Sequence, residues 1–109
     1  MKYFKTEELA CKCCGVDKTT EHFKEKLDEL RECYGKPLII NCAYRCQKHN
    51  AEVGGVKNSQ HLLGIAADIK CVTKDFRDLA YSLGWTTGFY KRFTHCDLRA
   101  EQITFKGDH

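Results

Sequence analysis

The sequence predicts an α+β domain: a small, antiparallel-rich sheet with helices packed on one face. Two stretches carry strong helical periodicity, short strand-like runs bounded by turn residues lie between and after them, and no repeat, low-complexity tract or linker divides the chain. The 109 residues, 42% apolar and 11% aromatic, are therefore read as one unit, 1–109, with a single modest core. Charged residues make up 30% and alternate in sign, which excludes a disordered chain.

The first helix is read from "TTEHFKEKLDELRECYG", where Phe23, Leu27, Leu30 and Tyr34 recur at spacings of four, three and four, Thr19 and Thr20 offer caps, and Gly35 ends the run. Pro37 follows, and "LIINCAYR" reads as a buried strand running into a loop. "CQKHNAEV" is a short helix and "GGVKNS" a turn-rich connection. "GIAADIKCV" reads as a strand, and "TKDFRDLAYSLG" as a second long helix with Thr73 as cap and Phe76, Leu79, Ala80 and Leu83 on one face. "TGFYKRF" and "THCDLRA" are expected as antiparallel neighbours, with "QITF" a weaker edge candidate.

Alternation along these strands places chemistry on one surface. Ala67, Ile69 and Cys71 turn toward the helices, while Asp68 projects from the opposite face. In "THCDLR", His95 and Asp97 share a face and Cys96 and Leu98 point to the core. If the two strands are neighbours, His61, Asp68 and His95 converge. Two imidazoles and one carboxylate suit zinc and leave a fourth position open for water. The plain alternative is that a lone His is more often a surface or core residue, and an Asp ending an apolar run a turn residue.

Charge and hydropathy narrow the classes. The net charge of +3 comes without a block of consecutive Lys or Arg or a basic stripe interleaved with aromatics, so no nucleic acid partner is indicated. No segment approaches the ~18 apolar residues of a membrane span, and "MKYFKTEELACKCC" lacks a signal-peptide core, so the expected product is a soluble cytoplasmic monomer. Eight cysteines without a signal point to reduced thiols or metal ligands. Cys11 with Cys14 and Cys42 with Cys46 form C-x2-C and C-x3-C pairs, which support a rival reading as a four-thiolate zinc module for structure or nucleic-acid binding. A disulfide among Cys11, Cys13, Cys14 and Cys46 stays open, and Cys33, Cys71 and Cys96 read as free thiols.

"NCAYRC", then "HNAEVGGVKNSQHLLGIAADI", then "GFYKRFTHCDLR" together resemble the zinc D-Ala-D-Ala carboxypeptidase family of peptidoglycan peptidases, whose relatives include phage endolysins and which has the hedgehog/DD-peptidase fold. The likeness runs from about Leu38 to Arg99. It implies Zn2+ held by His61, Asp68 and His95, with Ser59 opening the S-x-H-x6-D motif and Arg45 lining the site. It also implies a peptidoglycan peptide as substrate, cleaved by zinc-activated water, with Arg45 holding a substrate carboxylate, a carbonyl or the developing oxyanion. Ser59 either orients His61, binds the peptide or ends the turn. Tyr44 and Tyr90 read as packing residues, His22 and His49 as solvated, and the terminal His109 as a disordered end. Many relatives carry an acid three residues before the last histidine, where this chain has Arg92. Asp97, or an acid elsewhere such as Glu52, is the expected substitute base, with a hydrogen-bonding role toward a ligand imidazole as the alternative for Asp97. Without a base, the chain would be a wall-binding domain. Action on the cell wall would need release, for which a phage lysis role is one route.

Overall fold

Burial of two amphipathic helices against one face of a sheet organises the fold. The computed structural model describes residues 2–55 and 59–107. Helix α1 (Thr6–Leu9) is a single turn, and α2 (Glu21–Tyr34) is the long helix. Thr20 caps α2 by accepting from Phe23 N at 3.1 Å, and Gly35, at φ 75°, closes it. Strand β1 (Ile40–Cys42) precedes the short α3 (Gln47–Glu52) and a 3-10 turn (Gln60–Leu63). Strand β2 (Ala66–Ile69) leads to α4 (Lys74–Ser82), capped by Thr73, and then to β3 (Thr86–Phe89), β4 (Thr94–Asp97) and β5 (Thr104–Lys106).

The sheet order is β1-β2-β4-β3-β5. Its pairings are antiparallel except β3 with β5, which is parallel. Phe23, Leu27 and Leu30 of α2 and Phe76 and Ala80 of α4 meet Ala67, Ile69 and Cys96 in one core, with Trp85 fully buried edge-on to Phe23. The core face is thus the one that alternation assigned to Ala67, Ile69 and Cys96.

The opposite face carries one row across the whole sheet. Cys42 pairs with Asp68, Asp68 with His95, His95 with Gly88, and Gly88 with Phe105. Matched register points these side chains the same way. Arg77 of α4 steadies the end of this surface, donating to Thr94 Oγ1 at 2.8 Å and to the carbonyls of Tyr90 and Phe93 at 2.7 and 3.2 Å, which pins the β3–β4 connection.

Three local features differ from the sequence reading. Helix α1 shows no periodicity because it is one turn long, and it is held by the burial of Leu9. The strand read at residues 87–93 stops at Phe89, and Tyr90 to Phe93 turn back as a connection. Gln60–Leu63, between the turn-rich connection and the strand, forms a 3-10 turn. The turn-rich connection after Gly54 falls partly outside the described residues, as does His109.

Candidate active site

His61 is set by the start of the 3-10 turn, where Ser59 Oγ accepts from His61 N at 3.2 Å. Its ring is almost wholly buried, and Nδ1 lies 2.6 Å from the Ala43 carbonyl oxygen. A carbonyl only accepts, so Nδ1 carries the proton and Nε2 is turned toward Asp68 Oδ1, 3.3 Å away. His95, on β4, is oriented in the converse sense. Its Nδ1 faces Asp68 Oδ1 at 3.0 Å, and its Nε2 faces Asp97 Oδ2 at 2.7 Å. One ligand atom each of His61, Asp68 and His95 lies within 4.8 Å of the other two.

Asp97 has no exposed surface and lies behind His95 rather than in the cleft. Arg99 grips it, donating from its backbone N and Nε to Oδ1 at 3.0 and 2.9 Å and from Nη2 to Oδ2 at 2.5 Å. Burial works against charge on Asp97, but the Arg99 and His95 hydrogen bonds outweigh it and hold the carboxyl down at about 2. Asp68 is likewise buried, and its bonds to His61 and His95 keep it well below the usual carboxylate range. Burial disfavours the protonated imidazoles, yet Asp68 raises the pKa of both, with Cys42 adding to His61 and Asp97 to His95.

These groups open into a cleft of about 440 Å3. Arg45, Gly54, Gly55, Ser59, Tyr90, Phe93, Arg99 and Phe105 share its lining with His61, Asp68 and His95. Arg45 Nη2 donates to Ser59 Oγ at 3.1 Å, and its backbone N donates to the His61 carbonyl at 3.3 Å. Its Nε is buried without a hydrogen-bond partner among the described residues. Ser59 therefore ties the arginine to the His61 turn. Tyr44 is buried outside the cleft, whereas Tyr90 stacks on Phe93 with ring centroids 4.4 Å apart and reaches the lining.

Other sequence candidates lie elsewhere. Arg92 is exposed and outside the lining, so no acid stands at that position. Glu52 places Oε1 4.0 Å from Cys13 Sγ, away from the imidazoles. Cys42, expected to pair with Cys46, lies in the sheet row beside Asp68. Gly64 admits the Lys18 carbonyl, which an added Cβ would meet at 2.1 Å. The sequence reading missed the Ala43 carbonyl, which has no side-chain signature, and the Arg99 clamp. The two-residue spacing of Asp97 and Arg99 at the end of β4 was the signal for the clamp.

Two imidazoles with their outer nitrogens already hydrogen-bonded, and their inner nitrogens directed at one carboxylate in an open cleft, are a set of donors whose chemistry suits zinc. Comparison with known proteins makes the class specific. Residues 2–97 match the family model described as Peptidase M15, and the chain belongs to that family. A stretch of 56 residues is 39% identical to the zinc D-Ala-D-Ala carboxypeptidase of Streptomyces albus G, covering 50% of this chain and 22% of that protein.

Proposed function

We propose that this chain is a zinc-dependent peptidase that cleaves peptide bonds involving D-amino acids in peptidoglycan stem peptides or cross-links. The observation that carries the reading is the convergence of His61 Nε2, His95 Nδ1 and Asp68 Oδ1 at the floor of the cleft. The family and the carboxypeptidase relative support it. A zinc ion held by these three residues would polarise a carbonyl and bring the pKa of its water down to ~7.

The chain's own groups do the rest. Ala43 and Asp97 fix the two imidazoles so that each offers its inner nitrogen. Asp97, with Arg99 on both its oxygens, orients His95 rather than taking a substrate proton. Arg45 keeps N–H donors over the cleft for a substrate carboxylate or a developing oxyanion, while Ser59 holds its guanidinium in place. Tyr90, Phe93 and Phe105 give one side of the cleft an apolar wall for peptide side chains.

The substrate places its action at the cell wall, and release by a phage lysis system is one route to it. Among the described residues no helix is long and apolar enough to cross a membrane. The second reading, binding to the wall without cleavage, rests on Arg92 standing where an acid is common. Metal analysis combined with fragment release from purified peptidoglycan tests the proposal. Zinc-dependent release that disappears in His61→Ala, Asp68→Ala and His95→Ala is expected. Zinc binding without release favours the wall-binding reading, and release unaffected by these changes overturns the ligand assignment.

A further inference from the structure

A second set of ligand atoms converges outside the cleft. The sulfurs of Cys11, Cys14 and Cys46 lie within 4.8 Å of one another. They come from two distant segments. Cys11 and Cys14 sit in the tight turn after α1, where Cys11 N donates to the Val16 carbonyl and Gly15 N to the Cys11 carbonyl. Cys46 caps α3, its Sγ accepting from His49 N at 3.4 Å.

The hydrogen bonding around Cys11 is that of an anionic sulfur. Its Sγ is buried and accepts from Cys46 N at 3.4 Å, and the backbone N–H groups of Cys13 and Cys14 also favour its ionised form. A neutral thiol is only a weak acceptor, so several N–H donors aimed at one sulfur suit a thiolate. Burial pushes the Cys11 thiol up, but these donors outweigh it and bring it to about 6. Cys14 goes the other way. A backbone donor at Val16 lowers it, whereas burial and the neighbouring Cys11 and Cys46 sulfurs push it up. A cation between the three sulfurs would offset the repulsion that keeps a second thiol beside the Cys11 thiolate from ionising.

We propose that Cys11, Cys14 and Cys46 hold a structural zinc ion, separate from the one proposed for the cleft. Soft thiolates select zinc, and C-x2-C is a common spacing for two of its ligands. Bonds of ~2.3 Å at a tetrahedral centre set sulfurs ~3.8 Å apart, so this cluster needs to close by at most about 1 Å. Cys13 is exposed and interacts with Cys46, but its sulfur lies outside the converging group, so the fourth position is left to a water molecule or to a movement of Cys13. Binding releases the thiol protons and involves no oxidation. The ion would staple the turn after α1 to the residue next to Arg45, reinforcing the hydrogen bond from Tyr44 N to the Leu9 carbonyl at 3.0 Å.

The test uses the full chain purified with a non-thiol reductant. Wild type should hold one zinc more than His61→Ala, and that variant should still hold one. Cobalt substitution of His61→Ala should give an intense near-ultraviolet sulfur-to-cobalt charge-transfer band, absent when Cys11→Ser and Cys14→Ser are added. If the serine variants fail to fold, titration of native His61→Ala with an organomercurial decides, since thiol modification should release its zinc in proportion. A cobalt form without the sulfur band, zinc unaffected by the mercurial, or a peptide map showing Cys11 or Cys14 disulfide-bonded to Cys46 overturns the proposal. Because the cobalt and mercurial readouts are taken on His61→Ala, they stand apart from the outcome for the cleft.

Discussion

At the scale of single residues, the sharpest question is what Asp97 does. It touches His95 and Arg99 and has no exposed surface, so Asp97→Asn should weaken the fixing of an imidazole more than it removes a base. Zinc affinity, read by chelator competition, is expected to fall ~10–100-fold, with turnover per bound zinc largely kept. Full zinc occupancy with turnover down by ~10² would instead make Asp97 the base. Arg45→Lys should retain the fold and the zinc yet lose activity by ~10², since an ammonium cannot both hold Ser59 and present further donors to substrate. Activity near wild type would give Arg45 a structural role. The meeting of Asp68 and His95 was legible because period-two alternation needs only neighbouring strands, whereas His61 comes in from the 3-10 turn. The setting of His61 by a main-chain carbonyl was not, because every residue has one.

At the scale of elements, the two long helices and the β2, β3 and β4 segments were readable because capping residues and apolar spacing agreed with each other. The parallel seating of β5 was not, since a three-residue edge strand carries no directional signal. Nor was the purpose of Gly64, whose neighbour Lys18 is remote in sequence. Gly64 has φ 73° and faces that carbonyl, and Thr20 N donates to the Gly64 carbonyl at 3.1 Å, so the 3-10 turn is braced against the entry to α2. Gly64→Ala should cost about 1–3 kcal/mol in urea unfolding, because a strained backbone and a main-chain clash act together. Gly84→Ala is the control. It shares a positive φ, 99°, but meets nothing within 4 Å, so it should cost less. Equal losses would mean that the close approach at Gly64 carries no extra weight.

At the scale of the molecule, pH acts through the same buried charges. The raised pKa values of His61 and His95 keep their protons on to a higher pH than an ordinary histidine, ~6.5, and zinc must displace those protons. Zinc affinity read by chelator competition should therefore begin to weaken above that value as the pH is lowered. An affinity independent of pH through that range would mean that the imidazoles are not the ligands. In metal-free protein the Asp97 carboxylate has a depressed folded pKa, so its stabilisation is complete above the unfolded value of ~3.9 and is lost as the pH falls to about 2. Acid titration of stability, compared between wild type and Asp97→Asn, should differ in that window. The pairing of Asp68 with His95 on two of the three inner strands has a further consequence. Amides of β2 and β4 are enclosed on both sides and can exchange with deuterium only when the whole domain opens, whereas those of the edge strands β1 and β5 escape by fraying. A ligand that binds only the folded state slows global opening in step with its concentration. Zinc titrated into the protein should therefore lengthen the exchange lifetimes of the β2 and β4 amides while leaving the fraying edges almost unchanged, so that the sheet reports from within how full its metal site is.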